Sequence, residues 1–234
     1  MGGAGISALL AHFSVVDGVA LSFHLCIWAA LTWAIEHEVT RRPSAYALMV
    51  VHRRAWLQTF VTRDPRMFDA LMLTSLKQTA TFFASTCLIS VGAGAALIGQ
   101  AERVQEMAAE FSSTPAAPPI VWQIKLLVVL LFVANALLKF LWSVRVYGYQ
   151  AVLMAAVPED PSDPEAAAMA GRAADLNIYA SRSFNRGLRA VYFSLAALTW
   201  LVSPWAFIAA TLLTTGIVVR REYFSASREA LRVA

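Results

Sequence analysis

The chain has 234 residues, of which 59% are hydrophobic and 15% are charged. Soluble domains are typically about 45–50% apolar and about 25% charged, so an ordinary soluble domain is excluded. The formal net charge of +4 does not point to nucleic acid, because a membrane protein gathers its basic excess at the cytoplasmic face.

In chain order, apolar stretches occupy 13–35, 71–99, 120–144 and 190–219. Each meets the requirement of about 20 mostly apolar residues for a helix that crosses a bilayer. No alternation is sustained over strand length, which argues against a barrel. The sequence therefore predicts an all-α, polytopic helical membrane protein, one domain over residues 1–234, with about four long apolar helices. The N-terminus, MGGAGISALL, has no cationic segment, and the first apolar stretch is longer than a signal peptide needs, so it reads as a retained span. Cys26 and Cys87 each stand alone inside a predicted span, with no C-x-x-C or Cys/His cluster. No disulfide framework, metal site or other cofactor is expected.

The connecting segments differ in charge. Residues 36–70 hold Arg41, Arg42, Arg53, Arg54, Arg63 and Arg66, whereas 100–119 holds only Arg103 against Glu102, Glu106 and Glu110. Residues 145–189 are again basic, with Arg145, Arg172, Arg182, Arg186 and Arg189. The positive-inside bias places 36–70, 145–189 and 220–234 in the cytoplasm, with the N-terminus outside. The expected setting is a bacterial inner membrane.

Within 36–70, Ala45–Phe60 reads as an amphipathic interfacial helix, with Tyr46, Met49, Val50, Trp56, Leu57 and Phe60 near one face. Asp64-Pro65 and Asp163-Pro164 each look like an N-cap followed by proline at the first helical position. The first would start a helix running through 99, the second an Ala-rich helix towards Tyr179. Residues 151–163 read as a loop.

The last apolar run contains TWLVSPWAF, a proline between Trp200 and Trp205. A single span over 190–219 would be about 45 Å long, against a hydrocarbon core of about 30 Å. It would also bury both tryptophans mid-bilayer and put the basic tail outside, against their usual preferences. A helical hairpin turning at Ser203-Pro204 removes these conflicts, because proline ends one arm and starts the next. Its arms have only about 14–16 apolar residues, or roughly 21–24 Å, and call for thinning, snorkelling or protein neighbours.

TFFASTCLI (81–89), SRSFNRGLRAVYF (181–193), SPWAF (203–207) and RREYFSAS (220–227) resemble the membrane family known as domain of unknown function 599. The likeness covers most of the chain and is most specific in Arg182–Arg189. It implies an integral membrane protein and carries no activity, substrate or catalytic residues.

Ionisable and amide side chains inside apolar stretches are the candidates for function, since a charge costs about 2.5–3.5 kcal/mol at mid-membrane on insertion scales. Asp17 and Lys125 each lie about 8 Å in from the outer end of a span, which allows an ion pair. That pair reads as a clamp between helices or as a gate. His24 follows Asp17 on the same face, as a proton relay or as a buried hydrogen-bonding group. In the second span Thr74, Gln78, Thr81, Ser85 and Gly92 recur at helical spacing, suited to tight packing or to lining a watery path. In the third, Lys125, Phe132, Asn135, Lys139 and Trp142 fall on roughly one face.

Lys77, Lys139 and Arg145 would make an inner mouth electropositive, and Asn135 would sit at a constriction, as suits anion selection. Snorkelling towards headgroups is the plainer reading of the lysines. Arg182, Arg186 and Arg189 share a helical face and could form a lipid-headgroup cradle, an anion vestibule or salt bridges with the acidic loop 159–165. No G-x-S-x-G, H-E-x-x-H or P-loop pattern occurs, so catalysis finds little support. The leading expectation is a homo-oligomeric, anion-favouring pore lined by the second and third spans. The alternative is a non-conducting scaffold or assembly factor that grips anionic lipid headgroups or a protein partner.

Overall fold

The computed structural model describes residues 12–37, 42–100, 102, 103, 105, 106 and 118–232. Among these residues the chain is helical and holds no strand. The N-terminal MGGAGISALL and much of the expected outer connection lie outside them.

Small polar residues and prolines set the helix starts. Helix α1 (Val15–Glu36) opens on a capping box: the Asp17 N–H donates to Ser14 Oγ at 3.1 Å and the Ser14 N–H to Asp17 Oδ2 at 3.0 Å. Helix α2 spans Ala45–Phe60, as the sequence predicts, and Ser44 Oγ caps it by accepting from the Ala47 N–H. Helix α3 (Met67–Gly99) starts two residues beyond the expected proline, so Asp64-Pro65 precedes the helix and does not cap it. Helix α4 (Pro119–Ala155) and helix α5 (Pro164–Leu198) both begin on proline, where the missing N–H costs nothing. Asp163 caps α5 by accepting from the Glu165 N–H at 2.8 Å. Helix α5 continues well past Tyr179 into the last apolar run. A 3₁₀ turn (Thr199–Leu201), helix α6 (Pro204–Tyr223) and the short α7 (Ala226–Ala230) complete the chain.

Helices α1, α3 and α4 are long and apolar enough to cross a membrane. The fourth apolar run is not a single helix; it is divided between α5 and α6, and the chain folds back between them. The His24 ring lies 5.1 Å from the Phe193 ring and 4.6 Å from the Phe207 ring. On one continuous helix those two positions would be about 21 Å apart. Tyr46 likewise meets both arms: its hydroxyl accepts from Arg182 Nε at 2.9 Å, and its N–H donates to Glu222 at 3.2 Å.

By contacts the chain forms two compact units. The first comprises Met1–Trp33, Cys87–Asn135 and Arg189–Val219; the second comprises Ala34–Thr86, Ala136–Leu188 and Arg220–Ala234. In the first, Trp200 and Phe207 stack at 5.2 Å in a core completed by Ala20 and Ala197. Gly94 lets α3 approach α4, since a Cβ there would come within 2.8 Å of Leu130 Cδ1.

In the second unit, Ala166, Ala170, Ala173, Ala174 and Ala180 form the buried stripe of α5. They pack in one cluster with Leu57 and Phe60 of α2, Leu73 of α3, and Val146 and Met154 of α4. Phe83, Phe140 and Phe184 close the same unit as an aromatic cluster with centroids 5.3–5.6 Å apart. Gly187 leaves space for the Phe140 ring, which a Cβ would meet at 2.7 Å.

Candidate functional site

The first unit brings together the pair expected at the outer end of the spans. Lys125 Nζ lies 4.0 Å from Asp17 Oδ1 and donates to the Trp200 carbonyl at 3.0 Å. Trp200 Nε1 donates to the same Asp17 oxygen at 2.7 Å, and the Lys125 ammonium sits 5.5 Å from the Trp200 ring centroid. One carboxylate, one ammonium and one indole thus fix α1 and α4 to the turn that joins α5 to α6. The contacts of Lys125 with Asp17 and Trp200 all lie inside this cluster.

His24 is fully buried, with its ring among Phe132, Phe193 and Phe207. Its Nδ1 shares a 2.8 Å hydrogen bond with Thr211 Oγ1 of α6, in keeping with the buried hydrogen-bonding group that was one of its two expected roles. Among the described residues neither Nε2 nor the buried Nε1 of Trp28, one turn further along α1, has a hydrogen-bond partner. The arrangement packs an imidazole as an aromatic ring with one polar tether.

The remaining candidates of the second and third spans are less enclosed. Lys77, Gln78, Thr81 and Ser85 are exposed on α3, and Thr81 Oγ1 donates to its own Lys77 carbonyl. Asn135 and Lys139 are half-buried, and Arg145 is exposed, donating through Nε to Tyr149 Oη at 2.5 Å.

The arginines of the second unit are mostly anchored within it. Arg186 forks onto Glu36, donating from Nε to both carboxylate oxygens at 2.9 and 3.1 Å and from Nη2 to Oε2. This bonding raises the Arg186 pKa above its ordinary value, against the burial that lowers it. Its salt bridge is therefore with the end of α1, and the acidic loop 159–165 is not its partner. Arg53 of α2 donates to Asn177, which donates in turn to Gln150 Oε1 at 2.9 Å, so two fully buried amides relay one guanidinium. Arg66 donates to the Val157 and Pro158 carbonyls, and Arg63 and Trp56 both donate to the buried Asp69. Arg189 is buried within the first unit.

Two hollows of the second unit are lined by polar side chains. A groove of about 430 Å³ is lined by Arg182, Arg186, Ser183, Trp142, Tyr149 and Tyr179. Arg182 uses Nε for Tyr46 and lies 5.9 Å from the Tyr179 ring centroid. A guanidinium has five N–H groups, so this anchor leaves the outer fork for a ligand.

The other hollow, of about 270 Å³, is walled by Tyr46, Arg53, Tyr147, Ser181, Asn185 and Glu222, with Leu76, Met49 and Phe184 as apolar lining. Among the described residues no group of acidic, histidine or cysteine side chains is placed to hold a metal ion.

The sequence profile of a family described as protein of unknown function, DUF599, matches residues 19–227. The chain belongs to this family. The match takes in Arg182 and Arg186 of the groove, and Arg53, Tyr147, Asn185 and Glu222 of the smaller cavity, so both hollows of this DUF599 protein are built from family sequence. No curated protein and no solved structure matches the chain.

Sequence reasoning named Arg182 and Arg186 but missed the second cavity. Arg53 read as one of the polar residues of an amphipathic helix, and Tyr147, Asn185 and Glu222 carried no spacing signal. Tyr147 and Glu222 stand just past the end of an apolar stretch, and Asn185 stands just before the start of one.

Proposed function

We propose that this DUF599 protein is a non-conducting membrane scaffold that grips anionic lipid headgroups at its cytoplasmic face. The observation that carries the reading is the groove in which Arg182 and Arg186 lie beside Trp142, Tyr149 and Tyr179. Arginine binds phosphate through parallel N–H groups, and Trp and Tyr favour the membrane–water interface. Because Glu36 already neutralises Arg186, Arg182 supplies the positive charge within the groove, and Arg145 adds to it through its contact with Tyr149. On this reading the protein sits in a bacterial inner membrane with its N-terminus outside and the basic segments 36–70, 145–189 and 220–234 inside.

The test is native mass spectrometry of the detergent-purified protein offered phosphatidylglycerol and phosphatidylcholine in equal amounts. Preferential retention of phosphatidylglycerol, lost in Arg182→Ala, is the expected result. Equal retention of both lipids would remove the basis of the proposal.

A second reading, the homo-oligomeric anion-favouring pore, is favoured by a different observation. Lys77, Gln78, Thr81 and Ser85 form an exposed polar stripe on α3, which a second copy of the chain could cover or turn into a lining. Chloride efflux from liposomes, changed by Asn135→Leu or Lys139→Ala, would establish it in place of the scaffold.

A further inference from the structure

The smaller cavity of the second unit is distinct in charge from the arginine groove. Its wall carries one guanidinium, Arg53, and one carboxylate, Glu222, among two phenols, an amide and a hydroxyl. Each charged group is already anchored. Arg53 donates to Asn177 and also bonds the Tyr147 phenol, and Glu222 Oε2 accepts from the Tyr46 N–H. Both still have hydrogen-bonding capacity, because a guanidinium has five N–H groups and a carboxylate about four lone-pair sites. A plain anion would meet the Glu222 charge, and a plain cation would meet Arg53. A ligand that carries both charges complements the two at once.

The position of the cavity narrows the source of such a ligand. Tyr147 stands just past the apolar stretch that ends at 144, and Glu222 just past the one that ends at 219. Ser181 and Asn185 stand just before the one that begins at 190, and Leu76 is near the start of 71–99. Tyr46, Met49 and Arg53 belong to the amphipathic helix α2. In a bilayer, this is the level at which hydrocarbon gives way to headgroups. The apolar lining of Leu76, Met49 and Phe184 suits a molecule whose polar end continues into an aliphatic part.

We infer that this cavity binds a zwitterion with an anionic phosphate and a primary ammonium, the chemistry of an ethanolamine phospholipid headgroup. The phosphate pairs with Arg53 and Asn185, and the ammonium donates to Glu222. The inference rests on the membrane placement proposed above and is independent of the anionic groove.

The test is native mass spectrometry of the full-length protein with phosphatidylethanolamine, phosphatidylcholine and phosphatidylglycerol in equal amounts. Wild-type protein, Glu222→Gln and Arg53→Lys are compared, together with calorimetry using soluble O-phosphoethanolamine. Glu222→Gln keeps an oxygen acceptor for the Tyr46 N–H while removing the charge. Monodisperse elution of each variant reports folding.

The expected result is phosphatidylethanolamine retention over phosphatidylcholine by about tenfold, a difference of roughly 1.4 kcal/mol. Glu222→Gln abolishes this preference while phosphatidylglycerol adducts, held at the groove, persist. Unchanged phosphatidylethanolamine binding in Glu222→Gln would overturn the inference and leave the groove reading standing. So would a parallel loss of all three lipids in that variant. Binding of O-phosphoethanolamine without lipid preference supports the same chemistry with a soluble source, provided that Glu222→Gln abolishes it. Binding of neither probe to the wild-type protein overturns it.

Discussion

The two units bury polar groups by opposite means. In the first, buried polar groups are set among aromatic rings: His24 bonds Thr211 inside a cage of phenylalanines, and Asp17 and Lys125 meet around one indole. In the second, charges are linked into chains that run from helix to helix, as in Arg53–Asn177–Gln150 and Arg186–Glu36. An apolar surrounding makes each unpaired charge expensive, so a unit built mainly of apolar spans tolerates few charges and surrounds them with aromatic rings. A unit rich in arginine must supply partners for each one. That obligation leaves its two hollows lined with polar groups of fixed orientation, as a binding site requires.

If this contrast is right, stability in the first unit should depend on large aromatics and in the second on polar partners. The largest effect is expected for Trp200→Ala. Trp200 is 1% exposed, stacks on Phe207 and holds Asp17. Its loss should cost about 3–5 kcal/mol by thermal unfolding in detergent, as for other buried aromatic truncations.

Next comes Glu36→Gln in the second unit, which removes the countercharge of Arg186. Breaking a buried pair costs about 3–5 kcal/mol, but the Arg186 side chain is 38% exposed. About 2 kcal/mol is therefore expected, partly restored in Glu36→Gln/Arg186→Met.

His24→Phe sharpens the comparison. It preserves the ring packing and leaves the Thr211 hydroxyl without its side-chain partner, so about 1 kcal/mol should be lost. A loss as large as that of Trp200→Ala would show that the imidazole does more than pack. The smallest effect belongs to Arg54→Ala. Its salt bridge with Asp175 is about half exposed on both sides, and less than about 0.5 kcal/mol should be detectable in the same unfolding assay.

Much of the architecture was legible where local chemistry dictates it. Asp163 and Pro204 mark helix starts because capping and the missing proline N–H act over a few residues. The hairpin was readable because a 30-residue apolar run with a central proline is too long for one span and carries arginines at both ends. Depth counting placed Asp17 and Lys125 at one level, and the structure brings them to 4.0 Å.

What was not legible depended on the meeting of distant segments. Arg186 meets a carboxylate 150 residues away, and Arg53 an amide 124 residues away, for which spacing along the chain holds no signal. The extent of α5 was hidden for another reason. Its buried stripe is made largely of alanines, which are too small to stand out as an apolar face.

The fold-back between α5 and α6 also bears on how the chain is made. A segment entering a bilayer from the synthesis machinery commits as a span when it offers about 20 apolar residues. Each arm of this hairpin offers fewer, so neither is expected to insert by itself. The arms would enter together, once the chain has been extended through Val219 and Pro204 has turned it. On the proposed membrane placement, Arg186 and Arg189 would stay at the membrane surface until then, and the smaller cavity, which needs Glu222 of α6 as well as Ser181 and Asn185 of α5, would be among the last parts of the molecule to form.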